Sequence, residues 1–459
     1  MNYFWKRFDI EEEEDLLNQL SSEKDKKEPI KEKEKPYKKI FFYKIFLIFL
    51  CYLILTEVHE EIKPVKIKVA FYYRKMNYGG VERVLSLLLN LLSNEKTLSM
   101  YLITLEGISE NEYPTPKNIN RICLSDQKIN LFQAIKKEHI DIIIYNGYEI
   151  DIITKLNDLE KTKVIAYDHS SYFYWLLYER LNIENTMFIT YKKCNCVISL
   201  IPLENDYLLK KWGINSVFMD NPFTFDYNLV APSNLSQHNI VMIGRSDKDK
   251  RYDIGINAMK SIIKEVPDSK MYIIADSSKN LEELIKSLKL EKSVMFTGFQ
   301  KNIEIYLKNA SLHIFPSITE AYPMVLGEVK IYGIPTILCG LDFLALAKGG
   351  TIIIYDDNAE TVAKEAIKIL KNETYRKILG KEARKSLENK NNNSIARRWI
   401  KLLYSLYYED DKAFQELSAG GLSEEEAEHI LKNQLKLLKM RFPKFENITL
   451  DQLKNYKLS

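Results

Sequence analysis

The chain has 459 residues, enough for two or three domains, and an ordinary apolar share of 46%. Its 66 basic and 63 acidic residues leave a net charge of +3, which gives no case for nucleic acid as a partner. The five cysteines (Cys51, Cys123, Cys194, Cys196 and Cys339) form no paired C-x-x-C sets, so neither a zinc site nor a disulfide framework is indicated and buried thiols are expected.

Residues 1–39 are poor in apolar side chains. They carry an acidic run at Glu11–Asp15 and a basic one at Lys31, Lys33, Lys35, Lys38 and Lys39, and read as a disordered charged tail. Ile40–Thr56 is apolar on every side apart from Lys44, which can snorkel. As a helix it spans about 25 Å, a little short of the roughly 30 Å hydrocarbon core, and it reads as a transmembrane anchor. The long leading tail argues against a cleaved signal peptide. Lysines before the span and Glu57, Glu60 and Glu61 after it predict a single-pass protein with a cytoplasmic N-terminus. The body then lies in the secretory-pathway lumen of a eukaryote, or across the cytoplasmic membrane of a bacterium.

The body alternates strand-like and helical runs. Strands are predicted at Val65–Tyr73, Met100–Leu105, Ile140–Tyr145, Val164–Tyr167, Val197–Ile201 and Val217–Met219, closed by a boundary turn at Asn221-Pro222. A second series begins at Asn239 and continues at Met271–Ala275, Val294–Thr297, Leu312–Phe315, Thr336–Leu338 and Thr351–Tyr355. The class is therefore α/β, with two Rossmann-like domains over residues 65–223 and 236–390 facing across a cleft. Residues 393–459 are read as a helical C-terminal segment. Within it Ser423 and Glu426 make a capping box for a helix through Met440, stopped by Pro443 and docked on the body through Leu431, Leu435 and Leu438.

Chemistry gathers where strands end. Tyr73 is followed by Asn77-Tyr78-Gly79-Gly80-Val81-Glu82-Arg83, a strand–glycine–helix opening that suits phosphate, although a plain turn also needs glycine. The run Gly244-Arg245-Ser246-Asp247-Lys248-Asp249-Lys250 follows the second domain's first strand. Arg245 can bind two phosphate oxygens and Lys250 adds a point charge, although taken alone the run fits a solvated charge face better. Asp168-His169 ends another strand on the cleft side. His313, inside an apolar strand, reads as a satisfied core residue.

The central stretch is Phe315-Pro-Ser-Ile-Thr-Glu320-Ala-Tyr-Pro-Met-Val-Leu-Gly-Glu328, followed by Gly333-Ile-Pro335. Pro316 and Ser317 turn the chain out of the strand, Pro323 takes the first helical position, and Gly333 closes the helix. Glu320 then lies on a loop and Glu328 inside a helix. The amides of Met324 and Val325 are free to meet a phosphate. Two carboxylates eight residues apart, taken alone, fit one solvated Glu and one helix-surface Glu equally well.

That Glu–seven residues–Glu spacing resembles the signature of the family-4 (group 1) retaining glycosyltransferases of the GT-B fold. The resemblance covers about residues 66–408. It implies a transferase moving a sugar from a nucleotide-diphosphate sugar to a hydroxyl of a glycan, glycolipid or glycoprotein with retention. Under it Glu328 holds the ribose, Glu320 and His169 lie beside the donor sugar, and Arg245 and Lys250 take the diphosphate. Gly79, Gly80, Phe299, Gln300, Met324 and Val325 complete the donor site, and a helix near Ile395–Tyr404 crosses back onto the first domain. Arg245, Lys250 and Glu328 are expected to line a wet cleft. No cofactor is implied, and with two cations in place no metal is expected. One departure stands out: the glycine usual after the lysine is Arg251 here. A glycoside hydrolase using Glu320 and Glu328 is a competing reading, and a membrane-anchored sugar- or nucleotide-binding protein without activity is another.

Overall fold

The computed structural model describes residues 66–147, 149–177 and 189–454. The tail and the span read at residues 40–56 lie outside them. Among the described residues no helix is long and apolar enough to cross a membrane.

The first seven strands are β1 (Ile67–Tyr73), β2 (Leu98–Thr104), β3 (Asn120–Cys123), β4 (Ile142–Tyr145), β5 (Lys163–Tyr167), β6 (Cys196–Ser199) and β7 (Ser216–Phe218). They form one sheet in the order β3-β2-β1-β4-β5-β6-β7. The next six are β8 (Asn239–Ile243), β9 (Lys270–Ile274), β10 (Val294–Phe296), β11 (Leu312–Phe315), β12 (Thr336–Cys339) and β13 (Thr351–Ile354), ordered β10-β9-β8-β11-β12-β13. Every strand pairing in both sheets is parallel. Parallel strands need crossovers that cover both faces, which is why Ile142–Tyr145 and Leu312–Phe315 are buried at every position.

Strand order reverses direction between β1 and β4 in the first sheet and between β8 and β11 in the second. The crevice outside such a switch point is where open α/β sheets receive ligands. The loops that leave these four strands carry Gly79, Asn146, Arg245 and Glu320.

Residues 66–454 pack as a single compact unit. One hydrophobic cluster runs from Phe71 and Ile198 of the first sheet through Trp399 to Phe315, Leu326 and Tyr332 of the second domain. The helix Asn392–Tyr407 makes this continuity by returning to the first domain. Trp399, fully buried, sits with ring centroids 5.9 Å from Phe71 and 5.4 Å from Tyr167. The terminal helix Glu424–Arg441, the last long one, is followed by the short helix Leu450–Lys454. It starts with the expected Ser423–Glu426 capping box and buries Leu431 and Leu438 as expected, but Leu437 in place of the expected Leu435, which is half-buried. Cys194, Cys196 and Cys339 are buried thiols, as expected, and burial pushes all three up in pKa.

Three local expectations are corrected. Pro323 is the N-cap of the helix Met324–Ile331 and not its first residue, because its ψ of 109° is extended. His313 is only half satisfied: its Nδ1 lies 3.3 Å from Thr336 Oγ1, while its Nε2 has no partner. Glu328 lies in no wet cleft, being 1% exposed.

Candidate active site

The second domain supplies a cation loop and a carboxylate loop that touch. β8 ends at Ile243, and Lys248–Lys250 forms one 3-10 turn before the helix Tyr252–Glu265. That turn aims Lys250 at Glu320, and the two side chains form an ion pair with only 16% and 14% of their surfaces exposed. The backbone joins the loops as well, with Ile318 N–H donating to Asp249 O at 2.8 Å. Arg245 instead points outward, 85% exposed, with Asp247 at 3.4 Å and Glu82 of the first domain within electrostatic reach. An exposed pair of that kind holds about 1 kcal/mol at most, so the guanidinium is free to turn to an anion.

Glu328 is engaged from both sides of the molecule. Arg83, on the helix Gly80–Leu92 of the first domain, forms an ion pair with Glu328 Oε1, and Thr224 Oγ1 donates to the same oxygen at 2.8 Å. Buried charge persists only where partners replace the lost water, and here both partners lie outside the helix that carries Glu328. The N-cap of that helix, Pro323, makes no side-chain hydrogen bond to its first amides, those of Met324 and Val325 included.

The first domain contributes His169 in a fixed state. Asn146 follows β4 and is buried, and its amide Nδ2 donates to Tyr72 O at 3.2 Å and Ile144 O at 3.1 Å. Its Oδ1 is thereby left to accept from His169 Nε2 at 2.9 Å, which puts the imidazole proton on Nε2. Burial pushes His169 down to about 3, so the ring is neutral at physiological pH. The next turn is built by Asp168, whose Oδ1 accepts from Ser170 N–H at 2.8 Å and from the Ser170 hydroxyl at 2.6 Å. Ser171 Oγ then lies 3.3 Å from Thr319 Oγ1, bringing the His169 loop to the residue before Glu320.

A third contact closes the far end. Phe299, 60% exposed, stacks on Tyr78 of the glycine loop with centroids 5.8 Å apart and planes 21° apart. Lys301 Nζ lies 5.6 Å from the centre of the same Tyr78 ring. Gln300 is not presented as a free group, since its Nε2 donates to Thr297 O at 2.7 Å. Gly79 caps the helix Gly80–Leu92, where a Cβ would lie 2.2 Å from Glu82 Oε2, whereas Gly80 faces open space.

Of the predicted residues, Gly79, Arg245, Lys250 and Glu320 fall on loops leaving the switch-point strands, His169 follows β5, Phe299 and Gln300 follow β10, and Gly80, Met324, Val325 and Glu328 lie in the helices that come next. Lys250, Glu320 and the Ser171–Thr319 contact with the His169 loop form one group, Glu328 a second with Arg83, and Phe299 a third with Tyr78. Arg83, Thr224 and Asn146 were not singled out from sequence. For Asn146 a signal existed, because it directly follows a buried strand at the point where ligand loops leave the sheet.

Two parallel sheets, each with a switch point, and a cation loop in contact with a carboxylate loop make a two-domain α/β fold with the charged groups a phosphorylated ligand needs. Comparison with known proteins places the chain more closely. Residues 230–386, the second domain, match the family Glycosyl transferases group 1. An uncharacterized glycosyltransferase of Haemophilus influenzae is 24% identical over 215 residues, 45% of this chain and 59% of that protein's length. The Campylobacter jejuni GalNAc-alpha-(1->4)-GalNAc-alpha-(1->3)-diNAcBac-PP-undecaprenol alpha-1,4-N-acetyl-D-galactosaminyltransferase is 23% identical over 367 residues, 73% of this chain and 98% of its own. In fold, the chain is similar to Anabaena HepE solved in complex with UDP. The TM-score is 0.61 at 15% identity, covering 74% of this chain and all of that one. Over residues 230–386 the chain is similar to the group 1 glycosyltransferases, and relatives by sequence carry glycosyltransferase names.

Proposed function

We propose that the protein moves a hexose-type sugar from a nucleoside diphosphate sugar to an acceptor hydroxyl with retention of configuration. The observation that carries this reading is the contact of the cation loop with the carboxylate loop, Lys250 on Glu320, beside an exposed Arg245. The donor diphosphate lies against Arg245, Lys250 and the amides of Met324 and Val325. The bond from the anomeric carbon to the diphosphate oxygen breaks as the acceptor oxygen bonds to the same face of that carbon. The acceptor proton passes to the departing phosphate oxygen. Charge grows on that oxygen in the transition state, so fixed cations there lower the barrier more than they tighten the ground state. Protein cations supply this stabilisation, so the reaction needs no metal.

Neutral His169, held by Asn146, lies beside the donor sugar, and Glu328 serves the ribose once Arg83 yields it. The stacked Phe299 and Tyr78 flank the base, next to Gln300 and the glycine loop at Gly79 and Gly80. The acceptor, a glycan, glycolipid or glycoprotein, is taken by the first domain. A membrane role, with residues 40–56 as anchor and a cytoplasmic N-terminus, rests on the sequence of that span. The Campylobacter relative, whose name gives an undecaprenol-linked acceptor, supports a lipid-bound one.

The reading is tested by calorimetry with UDP, GDP and ADP and their sugars. One nucleoside diphosphate should bind to the wild type and lose most of its affinity with Arg245→Ala. Binding of free sugars alone, with no nucleotide bound, would favour the hydrolase. Protease digestion of sealed vesicles tests the topology, and cleavage of the body from the cytoplasmic face would reject it.

A further inference from the structure

The terminal helix lies outside the residues that match the family, yet its last residue reaches the site loops. Arg441 has only 6% of its side chain exposed. Its Nε donates to Asp357 Oδ2 at 3.0 Å and its Nη2 to Asp357 Oδ1 at 2.8 Å, a two-toothed grip on one carboxylate. Arg251 Nη1 donates to the same Asp357 Oδ2 at 3.1 Å. Arg251 follows Lys250 directly and sits at φ 50°, ψ 45°, the left-handed conformation that glycine adopts freely and side-chain-bearing residues resist. Asp357 thus ties Arg251, at the end of the cation loop, to the terminal helix.

A second path leads to the carboxylate loop. Arg441 Nη1 donates to Ile318 O at 3.4 Å, while Ile318 N–H is held by Asp249 O at 2.8 Å. Both ends of the residue two before Glu320 are therefore fixed, one by the cation loop and one by the terminal helix. The helix is itself anchored: Asn433 Nδ2 and Gln434 Nε2 each donate to Asp342 at 2.8 Å, and Arg441 Nη2 reaches Cys339 O at 3.3 Å.

We propose that Arg441 is a positioning residue for the diphosphate subsite, acting through Asp357 and Arg251 on Lys250 and through Ile318 on Glu320. The strut holds in place a loop whose left-handed position carries arginine where glycine would hold itself. This rests on the reading of Arg245 and Lys250 as the diphosphate cations. A displacement of a few tenths of an ångström at such a loop alters the fit of a charged group far more than that of the nucleoside beyond it.

The test uses the full chain and titrates UDP, GDP or ADP, whichever binds, alongside the matching nucleoside. Arg441→Met should weaken the diphosphate about tenfold or more and leave nucleoside affinity within twofold. In an Arg251→Gly background, where the loop carries its own glycine and the path through Asp357 is cut, the Arg441→Met loss should shrink at least threefold. If Arg441→Met does not fold, Arg441→Lys keeps the charge, loses the fork and carries the same comparison. Equal weakening of nucleoside and diphosphate, or a lower melting temperature with unchanged diphosphate affinity, overturns the proposal. Arg245→Ala separates the two layers. A loss there with none from Arg441→Met overturns the strut alone, and no loss from either overturns the donor-site reading beneath it.

Discussion

Arg83 of the first domain, half-buried, forms an ion pair with buried Glu328 of the second, and Thr224 Oγ1 donates to the same Glu328 oxygen at 2.8 Å. The carboxylate assigned to a ligand hydroxyl thus already holds a partner from across the molecule. The two substitutions are predicted to part company. Glu328→Gln should weaken nucleoside diphosphate binding at least tenfold and cost a few kcal/mol of stability, because it leaves a guanidinium facing an amide. Arg83→Met should also cost stability, yet keep or raise nucleotide affinity by releasing the carboxylate. Titration calorimetry with thermal melts checks both. Equal stability losses with unchanged affinity would make the pair purely structural.

Arg245 and Lys250 differ in setting, and their variants should show it. Arg245 is 85% exposed, so Arg245→Ala should leave the melting temperature unchanged while slowing transfer on the order of 100-fold. Lys250→Ala should slow transfer comparably and also free Glu320. The double variant should lose less than the product of the two, since in the proposed mechanism both cations serve one developing charge. Steady-state rates on the folded proteins decide it.

Two histidines set the acid limit. Burial pushes His169 and His313 from the ordinary 6.5 down to about 3. Between those values the unfolded chain binds protons that the folded chain refuses, so these two residues favour folding less and less as pH falls from 6.5 toward 3. His313→Leu should make the acid loss of stability shallower, as read from denaturant midpoints between pH 7 and 4.5.

Lys330 has the same sign on the alkaline side. Inside the helix Met324–Ile331 its Nζ donates to Lys348 O at 2.9 Å, to Gly349 O and to Thr351 Oγ1 at 3.1 Å, and burial pushes it from 10.5 down to about 7. From pH 7 toward 10.5 the unfolded chain holds the extra proton, so this residue's contribution rises with pH. Lys330→Met should flatten that rise relative to wild type, whatever its effect on stability at a single pH.

Much of this architecture is legible in the chain. Twelve of the strand runs and the Ser423–Glu426 cap are read from apolar runs, glycines and prolines because local patterning fixes them. β3 escapes because Asn120-Arg121-Ile122-Cys123 is a short edge strand with one buried residue and no alternation to find. The site loops are legible as strand ends. Their pairings are not, since nothing local to Glu328 announces Arg83 or Thr224, and nothing local to Arg441 announces Asp357. Arg251 lies between these cases. Its departure from glycine is visible in the sequence, but only the fold shows φ at 50° and the carboxylate that holds it there.

The return of Trp399 between Phe71 and Tyr167 also governs how the protein can be made. A ribosome delivers β1 through β7 long before residue 399, so the first sheet emerges with an apolar socket that its own segment cannot fill. Removing the indole from that socket costs roughly 3–5 kcal/mol, a large part of a domain's margin. The nascent first sheet should therefore remain sticky and dependent on chaperones until the chain is almost complete. A fragment ending at residue 223 should aggregate, and adding residues 392–407 in trans as a peptide should rescue it.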